Sequence, residues 1–556
     1  MHARQRSRLV RAIPFILLVI VTFLLYSFQI TPAFHSKKDA QRIQAEEEVK
    51  IQLQQKILEE QKHREKLQFI HEHRSVLEPV VTASDEGMKH LAFTHDIAVP
   101  VPVKPWTDDD KAMLRTALGQ SIQADLLTYP ENVPDFKYMT FQQRVFKALF
   151  QYFDPLIAAG DIDVTTHPDH KESWDLFVRL ERTLYPWLKP NWNTAFDINK
   201  SSQGRGIVIC IGNHQFQYAA TTIRAIREVL KSELPIEVFY IRENDLTPER
   251  RRYLETEFVN VKTRAVVDSV NDDYTRFGGW ALKPYSILAS SFSEVLLMDA
   301  DAFFFKAPEI LFDDAGYRKT GALFFYDRTL FANWRVGRDW LSSFLPTYSS
   351  IVEKTRWWKY TSAHEQESGV VVINKRRSLL GLLAICKMND HRERDLVTYK
   401  HVHGDKESFW IGFEMMQTPY AFLRSYGAVI GGLGDGGAED TVCGNQLHLG
   451  VDKQPLWWNG GLLRDKNKWP GRYLTFTHYA EGEDWHFETS CINEKDRIRT
   501  ISDEQHSLAM RYIDLDKKRA VDEEMINNGT WKPASKSPSH DEPASSNDDN
   551  SKKTTS

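Results

Sequence analysis

Asp299 and Asp301 stand one residue apart, after Val295-Leu296-Leu297-Met298 and before Phe303-Phe304-Phe305. A short apolar run of this kind reads as a buried strand. Carboxylates at its end need a partner, because an unpaired buried charge is very costly. A divalent cation held through hard oxygen ligands satisfies both acids at once. A salt-bridged turn is the plainer alternative.

The elements around the pair alternate. Ile207-Val208-Ile209-Cys210-Ile211 is a continuous apolar run ending at Gly212-Asn213, as expected of a strand buried on both faces. Ala219, Ile223, Ile226 and Leu230 mark one helix face, and Glu237–Ile241 is a second strand. Thr247-Pro248-Glu249 opens a helix with a cap, a proline at its first position and an acid. Residues 262–267 form a third strand, and Trp280–Ser291 a helix leading into the acidic strand. Such alternation predicts an α/β fold with a mostly parallel sheet flanked by helices. Ligands gather at the carboxyl ends of strands in these sheets, where Asp299 and Asp301 fall. Neither a dinucleotide glycine fingerprint nor a phosphate-binding Walker loop occurs.

The 556 residues allow a large core with accessory segments, and 71 basic against 76 acidic residues imply no nucleic-acid or other polyanionic partner. Arg4, Arg6, Arg8 and Arg11 precede the apolar segment Ala12–Ile30, which as a helix covers roughly 28 Å, close to a bilayer core. We expect residues 1–11 as a cytoplasmic tail and 12–30 as an uncleaved anchor, with a cleaved signal peptide as the rival. Residues 31–105 read as a helical stem and a proline-bearing linker, 106–200 as a helical region, 201–500 as the catalytic domain and 530–556 as a disordered tail. Four cysteines are too few for a disulfide scaffold. Cys443 and Cys491 flank loop-like sequence and are the expected disulfide among three full pairings. The sequons at Asn199 and Asn528 suit a lumenal domain.

The blocks Gly206–His214, Leu234–Tyr240, Gly279–Pro284, Leu297–Asp301, Glu367–Val371 and Trp458–Gly461 are similar, in order, to blocks of the fungal Golgi α-mannosyltransferases of the α-1,3/α-1,2 kind, with a GT-A fold. The resemblance implies a single-pass type II Golgi membrane protein that transfers mannose from GDP-mannose to a mannose-containing glycan, with retention. It also implies a Golgi complex or oligomer. In that fold the acidic pair, here Asp299 and Asp301, holds Mn²⁺ or Mg²⁺ against the donor diphosphate. His448 lies in Gln446–Trp457, similar to a His–Gly–Lys–Pro–Trp arrangement of glycogenin-like transferases but shifted by a residue. This makes His448 the implied third ligand, with His478 the alternative, and Gly450 and Lys453 the implied phosphate contacts. Asn213 and Lys283 are implied on the nucleotide side, Lys283 being otherwise a solvated helix lysine. Glu367, Asp405 and Glu407 are the implied catalytic carboxylates, or else helix caps. The rival readings are another sugar nucleotide, a glycoside hydrolase, and a non-catalytic carbohydrate-binding protein. A reporter fused to the carboxyl terminus is expected on the lumenal side, and a cytosolic signal would remove the anchor reading.

Overall fold

The computed structural model describes residues 47–58, 61, 91–129, 132–160, 162–434, 439–468, 471–483, 485–486 and 490–533. The expected anchor and most of the expected tail lie outside them. The chain divides into two units, 1–68 and 69–556. In the first, residues 47–58 are helical, with every side chain but that of Ile57 exposed. Among the described residues no helix is long and apolar enough to cross a membrane.

The second unit is built on two sheets. Its first strands are β1 (His95–Ala98), β2 (Arg205–Cys210), β3 (Ile236–Tyr240), β4 (Val261–Ala265) and β5 (Glu294–Met298). Next come β6 (Phe303–Phe304), β7 (Ala322–Tyr326), β8 (Gln366–Asn374) and β9 (Tyr420–Leu423). All but β6 form one sheet in the order β1-β9-β7-β8-β5-β2-β3-β4. Its residues alternate between two cores, as the two-residue strand period requires. Val208, Leu297 and Val371 face one, and Ile207, Leu296 and Val370 the other. Gly206 is required by packing, since a Cβ there would lie 2.3 Å from the Phe292 ring.

The expected strands near residues 207, 237, 262 and 295 are present, and β4, β3, β2 and β5 are mutually parallel. The sheet as a whole is mixed, however. β8 runs antiparallel to both β5 and β7, and β1 antiparallel to β9. Strands buried on both faces read as the same apolar run whatever their direction, so the pattern could not announce this.

A second, wholly antiparallel sheet was not anticipated. It contains β10 (Ala428–Leu433), β11 (Val442–Leu449), β12 (Pro455–Asn459), β13 (His478–Ala480), β14 (Trp485–His486), β15 (Cys491–Ile492) and β16 (Ile498–Thr500), with β6 paired to β12. Cys443 and Cys491 join β11 to β15 as the disulfide.

The helical region supports the site from behind. Helix Phe136–Ala159 starts on an Asp135 cap, ends at Gly160 in the left-handed conformation, and buries an almost continuous run from Met139 to Phe150. That run includes two cations. Arg144 Nε donates to Met415 O (2.9 Å), and Lys147 Nζ donates to Met416 O (2.8 Å) and Gln417 O (2.7 Å). They satisfy carbonyls that helix Lys406–Met415 leaves free at its end, where the helix dipole also favours positive charge. Arg144→Met is expected to cost about 1.5–3 kcal/mol in urea unfolding. An unchanged midpoint would show that this cap contributes nothing.

Candidate active site

The acidic turn is fixed through its backbone. β5 ends at Met298, and Asp299 N then donates to Gly369 O of β8 (2.8 Å). Thr222 Oγ1 donates to Ala300 O (2.6 Å), and Gly461 N to Asp301 O (2.9 Å). The last contact needs the Asn-Gly-Gly turn after β12, where Gly460 and Gly461 adopt φ of 106° and 83°, open to glycine at no steric cost. The turn therefore passes from β5 in the mixed sheet to β6 in the antiparallel one. Both carboxylates line a cleft of about 580 Å³, with Gly212, His214, Tyr218, Asp245, Trp280 and Lys283 among its walls.

Each acid faces a lysine. Lys283 Nζ lies 2.6 Å from Asp299 Oδ1, and Lys466 Nζ 2.6 Å from Asp301 Oδ2. Burial works to lower the Lys283 pKa, but Asp299 and Asp405 outweigh it and hold the ammonium protonated. The same contest at Lys466, with Asp301 as the main opponent of burial, also ends above the usual lysine value. Lys283 donates as well to Ser368 O (3.2 Å) and Ser368 Oγ (3.3 Å), and Ser368 Oγ in turn donates to Asp405 Oδ1 (3.4 Å). Asn459 Nδ2 reaches Asp299 Oδ2 (3.4 Å) and Glu367 Oε1 (3.1 Å). Burial, and then the nearby Asp327 carboxylate, push Glu367 up to about 7. Burial also raises Asp405, whose Oδ2 has no hydrogen-bond partner. Asp299, Asp301, Lys283, Glu367 and Asp405 are thus brought together.

The other candidates stand elsewhere. Glu407 accepts from Glu365 N (2.8 Å) and Trp410 Nε1 (2.6 Å) and lies buried beside β8. Asn213 Oδ1 accepts from Thr247 N (3.1 Å) and Arg250 Nη1 (3.3 Å), tying together the loops after β2 and β3. Gly450 N donates to Gln454 O within the β11–β12 turn. Lys453, in the same turn, donates to Arg424 O (2.8 Å) and lines a separate cleft with Asp96 and Glu481. His448 is packed in the apolar interior, stacked on Trp457 with ring centroids 4.0 Å apart and edge-on to Phe325. Neither of its ring nitrogens has a hydrogen-bond partner, and burial pushes it down to about 3. It does not line the acidic cleft. His478 sits in β13 with Nδ1 on Thr477 Oγ1 (3.0 Å).

The donor set fits a cation that keeps water and substrate phosphate in its shell. Mg²⁺ is commonly bound by one or two carboxylates plus phosphates, without an all-protein cage. Among the described residues no group of three Asp, Glu, His or Cys side chains could hold a metal, and Asp299 and Asp301 are the two acids that would be the protein's share of such a site. Lys466 and Asn459 were missed from sequence. The first sits in a polar loop with no distinguishing pattern, while the second lies inside the quoted Trp458–Gly461 block.

Lys283→Met removes the cation between Asp299 and the buried Asp405 and is expected to cost about 3–5 kcal/mol in urea unfolding. Lys466, with its side chain 41 % exposed, belongs to a screened pair, and Lys466→Ala should cost about 0–1 kcal/mol. Equal costs would contradict the different environments of the two pairs.

The family model described as "Mannosyltransferase putative" matches residues 204–338 and 348–449. The protein named "Putative alpha-1,3-mannosyltransferase MNN14" of Candida albicans is 30% identical over 300 residues, covering 46% of this chain and 42% of its own. "Alpha-1,3-mannosyltransferase MNT3" of Saccharomyces cerevisiae is 27% identical over 321 residues, covering 49% of each. The chain thus spans less than half the length of these two curated relatives. Among solved structures, the mannosyltransferase Ktr4p of S. cerevisiae aligns with 56% of this chain and 84% of its own at 10% identity, with a TM-score of 0.27, a likeness too low to carry any argument. Residues 204–338 and 348–449 of this chain are thus similar to a family described as mannosyltransferases, and just under half of the chain to relatives named as α-1,3-mannosyltransferases.

Proposed function

We propose that this protein is a metal-dependent retaining α-mannosyltransferase. It moves mannose from GDP-mannose to a hydroxyl of a mannose-containing glycan, forming an α-1,3 linkage. The observation that carries the reading is the Asp299/Asp301 turn with its two lysines, facing one cleft at the carboxyl ends of β2, β3 and β5. The printed names of the relatives favour mannose and the α-1,3 linkage, and α-1,2 transfer or another sugar nucleotide are the readings to test against it.

Asp299 and Asp301 would hold Mn²⁺ or Mg²⁺. When bound, the ion supplies Lewis-acid stabilisation of the departing diphosphate. Lys283, protonated and nearly buried, adds a fixed positive charge on the same side, which is worth more in a water-poor site than in bulk solvent. Lys466, on a more exposed arm, can leave Asp301 for phosphate oxygens. Asn459 and Ser368 hold Asp299, Glu367 and Asp405 in one hydrogen-bonded group, so the acids are oriented before substrate arrives. The acceptor hydroxyl would enter from the face the diphosphate leaves. A trapped covalent glycosyl-enzyme would overturn that course. The same reading makes the protein a single-pass type II resident of the Golgi membrane with its catalytic domain in the lumen.

Asp299→Asn and Asp301→Asn are each expected to lower transfer from GDP-mannose by about 100-fold or more, with thermal unfolding checked to show that the fold survives. A chelator should abolish wild-type transfer and Mn²⁺ restore it, and linkage analysis of the product should give α-1,3. Full activity in chelator would reject the metal role, and preference for another donor in a sugar-nucleotide panel would reject GDP-mannose.

A further inference from the structure

A row of rings with little charge leads out of the candidate cleft. Trp280 lines the cleft and is 51 % exposed. Its ring centroid lies 5.4 Å from that of His403, His403 lies 5.9 Å from His364, and His364 lies 5.7 Å from Phe331. Phe331, the far end of the row, is 64 % exposed. Trp280, His403 and Phe331 are exposed, whereas His364, between His403 and Phe331, is buried at 8 %; large aromatic side chains grouped on a surface mark a place of interaction.

Both ends are held in position. Phe331 and Asn333 have φ of 56° and 67°, a conformation that is uncommon for residues other than glycine and persists when its surroundings fix it. Here Leu330 N donates to Ser362 Oγ (3.0 Å), Ala363 N to Leu330 O (2.7 Å) and Asn333 N to Tyr360 O (2.6 Å). At the other end the Trp280 ring lies on the backbone of Gly404, where a Cβ would approach within 2.9 Å of it.

The chemistry of the row selects its ligand. Burial pushes His364 down to about 3 and lowers His403 as well, so both imidazoles are uncharged at neutral pH. Beside the row, Lys406 pairs with Asp327 at 2.5 Å, and Asp327 also lies 3.6 Å from Arg328 Nε and 3.9 Å from His364 Nδ1. A phosphate or polyanion would find no free cation in these four rings, whereas a pyranose offers an apolar C–H face whose burial on an aromatic ring is favourable. His403 and Gly404 directly precede Asp405, so the row leaves the cleft along the turn that carries this acid. Gly212, Ile241 and Asp245 instead line the cleft from the ends of β2 and β3.

We propose that Trp280, His403 and Phe331, with the buried His364 packed between His403 and Phe331, form an acceptor-binding strip that holds the mannose residues behind the one being extended. The proposal rests on the mannosyltransferase reading, and its test separates the two. The full chain is titrated calorimetrically with linear mannotetraose and with methyl α-mannoside, and KM is measured for both acceptors. Phe331→Ala is expected to weaken mannotetraose binding and raise its KM roughly ten-fold, with a smaller factor for methyl α-mannoside. Phe331→Tyr should keep the wild-type values, and Trp280→Ala should weaken both acceptors. Equal effects of Phe331→Ala on the two acceptors, or none, would overturn the strip. So would a Trp280→Ala variant that loses GDP binding but not mannotetraose. Calorimetric binding that depends on Phe331 without any transfer from GDP-mannose would support the strip while rejecting the donor.

Discussion

The structure depends on satisfying two carboxylates at the point where the chain passes from one sheet to the other. Asp299 closes β5 and Asp301 precedes β6, so the charges sit on a covalent hinge between two cores that are otherwise packed with apolar side chains. The backbone of the hinge is tied to β8 by Asp299 N and to the Asn-Gly-Gly turn by Asp301 O. Its side chains are tied to Lys283 and Lys466. Without these partners the desolvation of either acid would be uncompensated. With them, the two sheets are set against each other and the acids point into one cleft.

From that hinge a network of buried charge extends away from the cleft. Lys283 links Asp299 to Ser368 and Asp405. Beyond Glu367, Asp327 is held by Lys406 (2.5 Å) and Gln446 (2.9 Å). Burial works to raise the Asp327 carboxyl, but Lys406, Arg328 and His364 outweigh it and keep it well below the usual carboxylate range. Glu367 stands beside this fixed negative charge, and its own pKa rises in consequence. Such networks rarely add net stability over an apolar core, but breaking one member exposes the rest to an uncompensated charge. They hold geometry, which is what an oriented set of acids requires.

How much of this was legible follows from the range of each interaction. β2, β3, β4 and β5 were readable because a buried strand leaves its signature in a handful of consecutive residues. The acidic pair was readable because its two members are neighbours. His448 and Lys453 were expected at the pair because the stretch around them resembles a known arrangement, yet β11 pairs with β12 in a register that stacks His448 on Trp457, and the turn carries Lys453 to another cleft. Register and sheet assignment are long-range properties, and a side-chain period of two cannot reveal which strand will lie alongside. Lys466 shows the converse. Nothing local distinguishes it from Lys468, and only the glycine turn at 460–461 swings its loop back to Asp301.

The helical region, in which no chemistry could be read, bonds to the end of the helix that follows Asp405. Asp405 stands at the N-cap position of helix Lys406–Met415, with its carboxylate on Ser368 and no side-chain bond to the helix, and belongs to the acidic group. Arg144 and Lys147 hold the carbonyls at the helix's other end, and Glu414 is engaged by Ser349 and Tyr420. Burial holds Lys147 down to about 7, against an ordinary value of 10.5 in the unfolded chain. Stability from this group therefore grows as pH rises from about 7 towards 10.5, because only the unfolded chain then still binds its proton. Arg144 and Lys147, which look like misplaced charges in an apolar helix, are thus the partners of the carbonyls at the end of helix Lys406–Met415.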